Sequence, residues 1–153
     1  MNPRNILFVD FGMLGRLLFF TLLLNGPLEG VAQNLNPDPS LIKSIYFRGG
    51  SYYIDDEQHE QLKKFIESFS NIENYTITVH SHTDNIGSPE YNQMLSEMRS
   101  AMTVQRLMDL KVPENIISIH DFGEYNPVYD NSTWDGRIRN RRVDIILWPL
   151  NTL

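Results

Sequence analysis

The sequence predicts an α/β fold of the α+β sandwich type, in which helices cover one face of a mixed sheet of about four strands. Short segments rich in β-branched and aromatic residues alternate with two longer segments whose apolar residues recur at helical spacing. Turn-forming residues separate these segments, and their succession predicts the element order β-α-β-α-β-loop-β. With 153 residues in all, the chain has the length expected of one compact domain.

The first predicted strand and helix lie between residues 44 and 69. Residues 44–47 (SIYF) combine β-branched and aromatic side chains and are followed by two glycines within three residues, which is typical of a short strand. The acidic residues 55–57 then place negative charge on the first turn of a helix, where the helix dipole favours it. Apolar residues at i, i+3, i+4 and i+7 predict the face packed on the sheet, namely Leu62, Phe65, Ile66 and Phe69.

The second strand and the second helix are predicted within residues 75–110. Residues 75–82 (YTITVHSH) alternate apolar side chains with threonine and histidine, as in a strand with one buried face. Ser88 suits a helix N-cap, Pro89 suits the first helical position, and helical spacing continues to Leu110. The predicted buried stripe of this helix consists of Tyr91, Met94, Leu95, Met98, Met102 and Leu107.

Two further strands are predicted at residues 116–120 and 143–148, which are short and rich in β-branched residues. Between them, residues 122–139 are rich in glycine, proline and asparagine. Such a composition predicts mostly loop, with room for one short helix.

The composition and charge of the chain exclude several functional classes. It has no cysteine, which excludes a disulfide scaffold, a cysteine-ligated metal site and a cysteine nucleophile. Its 13 Lys and Arg against 19 Asp and Glu give a net charge of -6. Nucleic acid is therefore not expected as a partner, because broad nucleic-acid binding requires excess positive charge.

Residues 1–32 are predicted to be a signal peptide that directs export. Residues 13–24 (MLGRLLFFTLLL) are nearly all apolar, and the small residues at 30 and 32 suit cleavage before Gln33. A polar linker at residues 33–40 and a single domain at residues 41–153 are then expected. Two alternatives stay open: retention of the leader as a membrane anchor, and a start at Met13 in place of Met1.

One acidic and one basic residue are spaced so that they could share a cleft. Asp84 lies in the turn after the second strand, and Arg99 lies nearly three turns into the following helix. Asn92, Ser96 and Arg99 fall at i, i+4 and i+7, so they form a polar stripe on that helix. The spacing alone does not decide between a structural salt bridge of Asp84 with Arg99 and a ligand site.

Residues 83–101 (TDNIGSPEYNQMLSEMRSA) resemble the signature of the OmpA C-terminal domain family, T-D-x-x-G followed by N-x-x-L-S-x-x-R-A. Residues 122–127 (FGEYNP) and 140–145 (NRRVDI) are similar to a second block of that family. The chain departs from the family at residues 47–51, where F-R-G-G-S replaces the frequent F-D-F-D-S. The positions in register with the signature are Thr83, Asp84, Gly87, Asn92, Leu95, Ser96 and Arg99.

This resemblance implies a protein that binds peptidoglycan noncovalently through the diaminopimelate residue of the stem peptide. The side chain of diaminopimelate ends in an ammonium and a carboxylate, so a receptor needs an acceptor and a donor at a fixed separation. By the resemblance, Asp84 accepts from the ammonium and Arg99 donates both of its guanidinium arms to the carboxylate. The rest of the candidate binding set is Asn92, Thr83 and Arg141.

The same resemblance implies a place and a set of partners. The protein is expected in the periplasm, or on the periplasmic face of the outer membrane, of a two-membrane bacterium. An outer-membrane or other envelope protein is a second candidate partner beside the stem peptide, and no cofactor, metal ion or catalytic residue is expected. Because side chains alternate along a strand, only one of Arg141 and Arg142 should reach the site, and Arg141 is favoured.

Two other functions fit parts of the sequence. A metal-dependent hydrolase would use His80, His82 and Asp84, which form an H-x-H-x-D string at the end of a strand. A catalytic zinc site, however, needs further ligands and an open coordination position. A protein-interaction module would dock another envelope protein through the aromatic residues of the long loop, Tyr125, Tyr129 and Trp134.

Overall fold

A mixed β-sheet and three α-helices make up the described part of the chain. The computed structural model describes residues 37–150, so the predicted signal peptide and the first half of the predicted linker lie outside the described residues. A single 3-10 turn at Pro39–Leu41 precedes the first strand. The elements are β1 (Ile42–Tyr46), α1 (Asp56–Glu67), β2 (Tyr75–Ser81), α2 (Pro89–Asp109), β3 (Ile117–Asp121), α3 (Trp134–Asn140) and β4 (Arg142–Pro149).

The strand order β1-β4-β2-β3 places the last strand of the chain inside the sheet. β4 runs antiparallel to both of its neighbours, whereas β3 runs parallel to β2 at the outer edge. The parallel pair is possible because α2 carries the chain back between the two strands. The predicted α/β fold with a mixed sheet of four strands is confirmed.

The apolar core lies between one face of the sheet and the helices α1 and α2. Paired residues such as Ile45 with Val143 and Ile77 with Leu147 align aliphatic side chains on that face. Within residues 37–150, none of the helices combines the length and the apolar character needed to span a bilayer. The buried aliphatic residues of the core are Ile45, Ile54, Leu62, Ile66, Ile77, Val79, Leu107, Val112, Val143, Ile145 and Leu147.

Helix α1 begins at the acidic run, as predicted. Asp55 accepts a hydrogen bond from the backbone N–H of Gln58, and the Gln58 side chain accepts one from the backbone N–H of Asp55, which is a capping box. Leu62 and Ile66 are buried, as predicted. The helix ends two residues before Phe69, which still packs against the core.

The predicted buried stripe of α2 is wrong in part. Tyr91 and Met94 are 41% and 50% exposed, whereas Leu95 and Leu107 are buried as predicted. The buried face of the helix is instead mostly polar, and its polar members are Asn92, Ser96, Arg99, Ser100 and Thr103.

Small polar residues can occupy this buried face because their hydroxyl groups find partners within the helix. Ser96, Ser100 and Thr103 donate to backbone carbonyl oxygens three or four residues earlier, at 2.7, 3.0 and 2.9 Å. Their small side chains allow α2 to approach the sheet closely. Apolar spacing could not reveal this face, since it takes no account of hydroxyl groups that are satisfied locally.

The short helix predicted within residues 122–139 is α3. The hydroxyl oxygen of Thr133 caps it by accepting from the backbone N–H of Gly136 at 3.0 Å. A glycine is needed there, because a Cβ atom at position 136 would lie 2.0 Å from the backbone oxygen of Asp130. The helix ends at Asn140 and Arg141 is its C-cap, so the helix fixes that arginine next to the start of β4.

Candidate functional site

Four segments converge at one end of the sheet. They are the loop at residues 47–51, the loop at residues 82–87, the first half of α2, and Arg141 between α3 and β4. The structure brings the predicted binding residues into this region, namely Thr83, Asp84, Asn92, Arg99 and Arg141.

Asp84 pairs with Arg141 and not with Arg99. Its Oδ2 atom lies 3.1 Å from Nη1 of Arg141, and its Oδ1 atom accepts a hydrogen bond from the backbone N–H of Ile86 at 3.2 Å. The two paired side chains are only 9% and 12% exposed, so little water screens their charges. Of the two interpretations left open by the spacing, the direct Asp84–Arg99 salt bridge is therefore absent from the described residues.

Arg99 is fully buried and its guanidinium group is bonded to the backbone of two loops. Nε donates to the carbonyl oxygen of Ser51 at 2.9 Å, Nη1 to that of His82 at 2.8 Å, and Nη2 to that of Arg48 at 3.3 Å. The guanidinium carbon also lies 4.9 Å from the centre of the Phe47 ring. Arg99 thus ties the loop after β1 to the end of β2.

The charge of Arg99 persists in this buried position. Burial lowers its pKa to about 10, while the nearby Asp84 carboxylate acts in the opposite direction and Arg141 adds to the lowering. The guanidinium group remains protonated at neutral pH. Arg99 and Arg141 therefore place two positive charges around the negative charge of Asp84.

Thr83 and Asn92 are buried and bond to the loop that follows β3. The backbone N–H of Thr83 donates to the carbonyl oxygen of Gly123 at 2.7 Å, and its hydroxyl donates to the backbone oxygen of Asp84. Nδ2 of Asn92 donates to Oε2 of Glu124 at 2.6 Å, while its Oδ1 has no hydrogen-bond partner among the described residues. Both residues thus attach the site to the loop that follows β3.

Sequence reasoning missed three residues that build the site. Glu124, the partner of Asn92, lies in residues 122–127 (FGEYNP), for which the sequence predicts only a similarity to the family. Arg48 and Ser51 contribute backbone oxygens to Arg99, and no side-chain pattern could have indicated them. The 67% exposed ring of Trp134 lies 5.5 Å from the guanidinium carbon of Arg141 and forms the rim of the site.

The side chain of Arg142 lies on the opposite face of the sheet. Its Nε donates to Oδ2 of Asp144 at 2.8 Å, and the other oxygen of that carboxylate accepts from the Ser44 hydroxyl at 2.6 Å. Of the two adjacent arginines, Arg141 is the one that contacts Asp84. The half-buried Tyr129 packs its ring against Arg142, so this aromatic residue anchors the long loop.

The histidines at the end of β2 are packed on an aromatic ring. The ring of His82 stacks on Phe122 with 4.9 Å between centroids, and burial, aided by the positive charge of Arg142, lowers its pKa to about 4. Burial, together with the neighbouring His120, also lowers the pKa of His80. In the part of the chain that the structure describes, no group of three or more histidine or carboxylate side chains is placed to hold a metal ion.

The sheet order, the loop carboxylate and the buried arginine that ties two loops together define an OmpA-like domain. A sequence model of the OmpA family matches residues 46–141, which is more than half of the chain. The chain belongs to the OmpA family, as the resemblance of its motifs predicted.

Similar proteins include proteins of the bacterial outer membrane. The chain is 30% identical over 118 residues to outer membrane protein Omp38 of Acinetobacter baumannii, covering 76% of this chain and 33% of that protein. It is also 30% identical over 89 residues to the peptidoglycan-binding protein ArfA of Mycobacterium tuberculosis, covering 58% of this chain and 27% of that protein. The chain thus spans about a third or less of the length of these relatives.

The fold is also similar to that of a solved structure. The peptidoglycan-associated lipoprotein of Burkholderia pseudomallei superposes with a TM-score of 0.64 at 24% sequence identity, covering 69% of this chain and 90% of that one. At this identity the likeness shows a shared fold.

Proposed function

We propose that this protein binds peptidoglycan noncovalently, through the diaminopimelate residue of the stem peptide, and so links the cell wall to the envelope. The observation that carries the proposal is the nearly buried Asp84–Arg141 ion pair beside the buried charge of Arg99. Membership of the OmpA family supports it, as does the similarity to a relative named as a peptidoglycan-binding protein.

The charges of the site match the two charged groups of the diaminopimelate side chain. Asp84 accepts from the ammonium group, and in doing so it releases Arg141 from the ion pair of the free protein. Arg141 then turns its guanidinium group to the ligand carboxylate. Each charge of the ligand thereby replaces one charged partner of the site, so that neither Asp84 nor Arg141 is left unpaired.

The burial of Arg99 restricts how this residue can contact the ligand. It has no exposed surface in the free protein, and three of its N–H groups already donate to backbone oxygens. Two of its five N–H groups are not used in these bonds, so a ligand carboxylate contacts Arg99 directly only where one of those two becomes accessible.

Calorimetric titration with a diaminopimelate-containing stem peptide tests this function. The same titration with the lysine analogue, which lacks the distal carboxylate, tests the role of the arginines. The diaminopimelate peptide should bind more tightly, because only its carboxylate can pair with a guanidinium group. Equal affinity for the two peptides would contradict the roles assigned to Arg99 and Arg141.

A pair of matched variants localises the binding. Asp84→Asn should weaken binding about 30-fold or more, because losing one partner of a desolvated charge pair costs about 2 to 5 kcal/mol. Asp144→Asn removes the carboxylate of a similar ion pair on the opposite face of the sheet, with Arg142, and should retain binding. Equal loss in both variants, with both folded by circular dichroism, would rule out the Asp84 site.

An outer-membrane or other envelope protein is proposed as a second partner. Tyr125 and Trp134 favour it, because both are more than half exposed although they are large aromatic residues. Pull-down with purified sacculi separates the two proposals. Binding by the purified protein alone supports the wall as ligand, whereas a requirement for a second envelope protein would support the interaction module.

A further inference from the structure

A pocket of about 550 Å³ lies next to the Asp84–Arg141 pair, between the end of β1, the loop after it and α3. It extends away from Asp84 and shares only one residue with that pair, which is Arg141. Most of the residues in its wall are polar or aromatic, including Tyr46, Arg48, Tyr53, Asp55 and Arg141.

The guanidinium group of Arg48 has no acidic partner in this pocket. Among residues 37–150, no carboxylate lies within salt-bridge distance of it. Asp55, the acidic residue of the pocket wall, uses its Oδ1 atom to cap α1 by accepting from the backbone N–H of Gln58. The exposed Arg48 side chain therefore presents to the pocket a positive charge that is not held in an ion pair, while the negative charge of Asp55 lies in the same wall.

The backbone that carries Arg48 is held in place. Its carbonyl oxygen accepts from Nη2 of Arg99 at 3.3 Å and from the backbone N–H of Ser51 at 3.1 Å. The turn after it is completed by Gly50, which adopts a positive φ of 67°. A fixed turn reduces the ordering cost that a ligand must offset when it binds to this arginine.

Arg141 connects the pocket to the site of the proposed function. Nη1 of Arg141 contacts Asp84, whereas its Nε is buried and has no hydrogen-bond partner among the described residues. The guanidinium group of Arg141 therefore belongs both to the ion pair with Asp84 and to the wall of the pocket that carries Arg48.

We infer that this pocket is a second subsite, which binds a carboxylate of the stem peptide other than those of diaminopimelate, and that Arg48 determines specificity for it. The inference rests on the proposed function. The stem peptide carries two such groups, the α-carboxylate of its γ-linked D-glutamate and the carboxylate of a terminal D-alanine. Amidation of the carboxylate that is bound removes its charge and with it the pairing with Arg48.

The test is calorimetric titration of the whole protein with two matched pairs of peptides. The first pair is L-Ala–γ-D-Glu–diaminopimelate and its analogue with the D-glutamate α-carboxylate amidated. The second pair is the tetrapeptide ending in D-alanine and its C-terminal amide. The free acid of one pair should bind about fivefold more tightly than its amide, the value expected for a half-exposed charge pair of about 1 kcal/mol. The pair that shows the difference identifies the source of the carboxylate.

Arg48→Gln should abolish that difference while the protein still binds the peptides. Arg139→Gln makes the same change at an exposed arginine that pairs with Asp135 outside the pocket, and it should leave the difference intact. If the parent protein binds the peptides but shows equal affinity for the acid and the amide in both pairs, the inference is overturned and the proposed function is not. A difference that survives in Arg48→Gln also overturns the inference. If none of the peptides binds the parent protein, the proposed function fails, and the inference fails with it.

Discussion

Replacing Arg99 by lysine should destabilise the domain, although the substitution keeps the positive charge. A planar guanidinium group reaches the carbonyl oxygens of Ser51, His82 and Arg48 with three different nitrogen atoms. A lysine ammonium is a single point at the end of its stem and cannot bridge acceptors on two separate loops. At least two of the three hydrogen bonds should therefore be lost.

The size of the effect follows from the burial of these bonds. A hydrogen bond to a charged donor contributes about 1.5 to 3 kcal/mol. The bonds to Ser51 and Arg48 are only part-buried, so water can partly replace the donor, and the lower end of that range applies to them. Two lost bonds then amount to about 3 kcal/mol, a large share of the roughly 5 to 15 kcal/mol that stabilises a domain.

Urea unfolding followed by circular dichroism measures this loss. With an m-value near ~1.5 kcal/mol/M, the midpoint should fall by about 2 M. Arg106→Lys is the matched control, because Arg106 lies on the same helix and pairs with Asp109 at 3.5 Å near the surface. That control should change stability by less than about 0.5 kcal/mol. A loss below about 1 kcal/mol in Arg99→Lys would refute the assignment of Arg99 as the tie between the loops.

Two further substitutions test the packing around the site. Gly136→Ala should cost about 3 kcal/mol or more in urea unfolding, because its Cβ would lie 2.0 Å from the backbone oxygen of Asp130. Gly49→Ala should cost under about 1 kcal/mol, because its Cβ would meet only a side-chain atom at 3.7 Å, and equal losses would contradict this reasoning. The native pKa of His82, about 4, lies below its ordinary value of 6.5, so unfolding takes up a proton and stability falls as the pH decreases from 6.5 towards 4. His82→Phe keeps an aromatic ring stacked on Phe122 but removes the titrating group. Between pH 7.5 and pH 5, its free energy of unfolding should fall by about 2 kcal/mol less than that of the parent protein. Equal falls in the two proteins would exclude this linkage.

Local signals in the sequence were sufficient for the fold. The capping box at Asp55 and the N-cap at Ser88 mark where α1 and α2 begin, because each depends on residues within one helical turn. The alternating residues of β2 likewise identify its buried face. These features depend only on residues close together in the chain, so they can be predicted from the sequence of each segment.

The pairing within the site depends on contacts between distant segments, and spacing could not supply it. Asp84 and Arg141 are 57 residues apart, and only the central position of β4 beside β2 brings them together. The spacing of Asp84 and Arg99 does not decide between a direct salt bridge and a ligand site. The carbonyl groups that occupy Arg99 could not be predicted, because every residue has one and loop geometry alone selects which of them face the helix.

The way in which Arg99 holds the loop after β1 also explains why that loop can differ from the common family pattern. Its bonds go to the backbone oxygens of Arg48 and Ser51, so they place no requirement on the side chains of those residues. Where the family frequently has F-D-F-D-S, residues 47–51 read F-R-G-G-S and are tied to Arg99 through two backbone oxygens. The loop can therefore change the charge that it presents to the neighbouring pocket without losing its attachment to α2. The buried Arg99 thus holds the loop through the Arg48 carbonyl oxygen, while the exposed side chain of Arg48 lines the pocket.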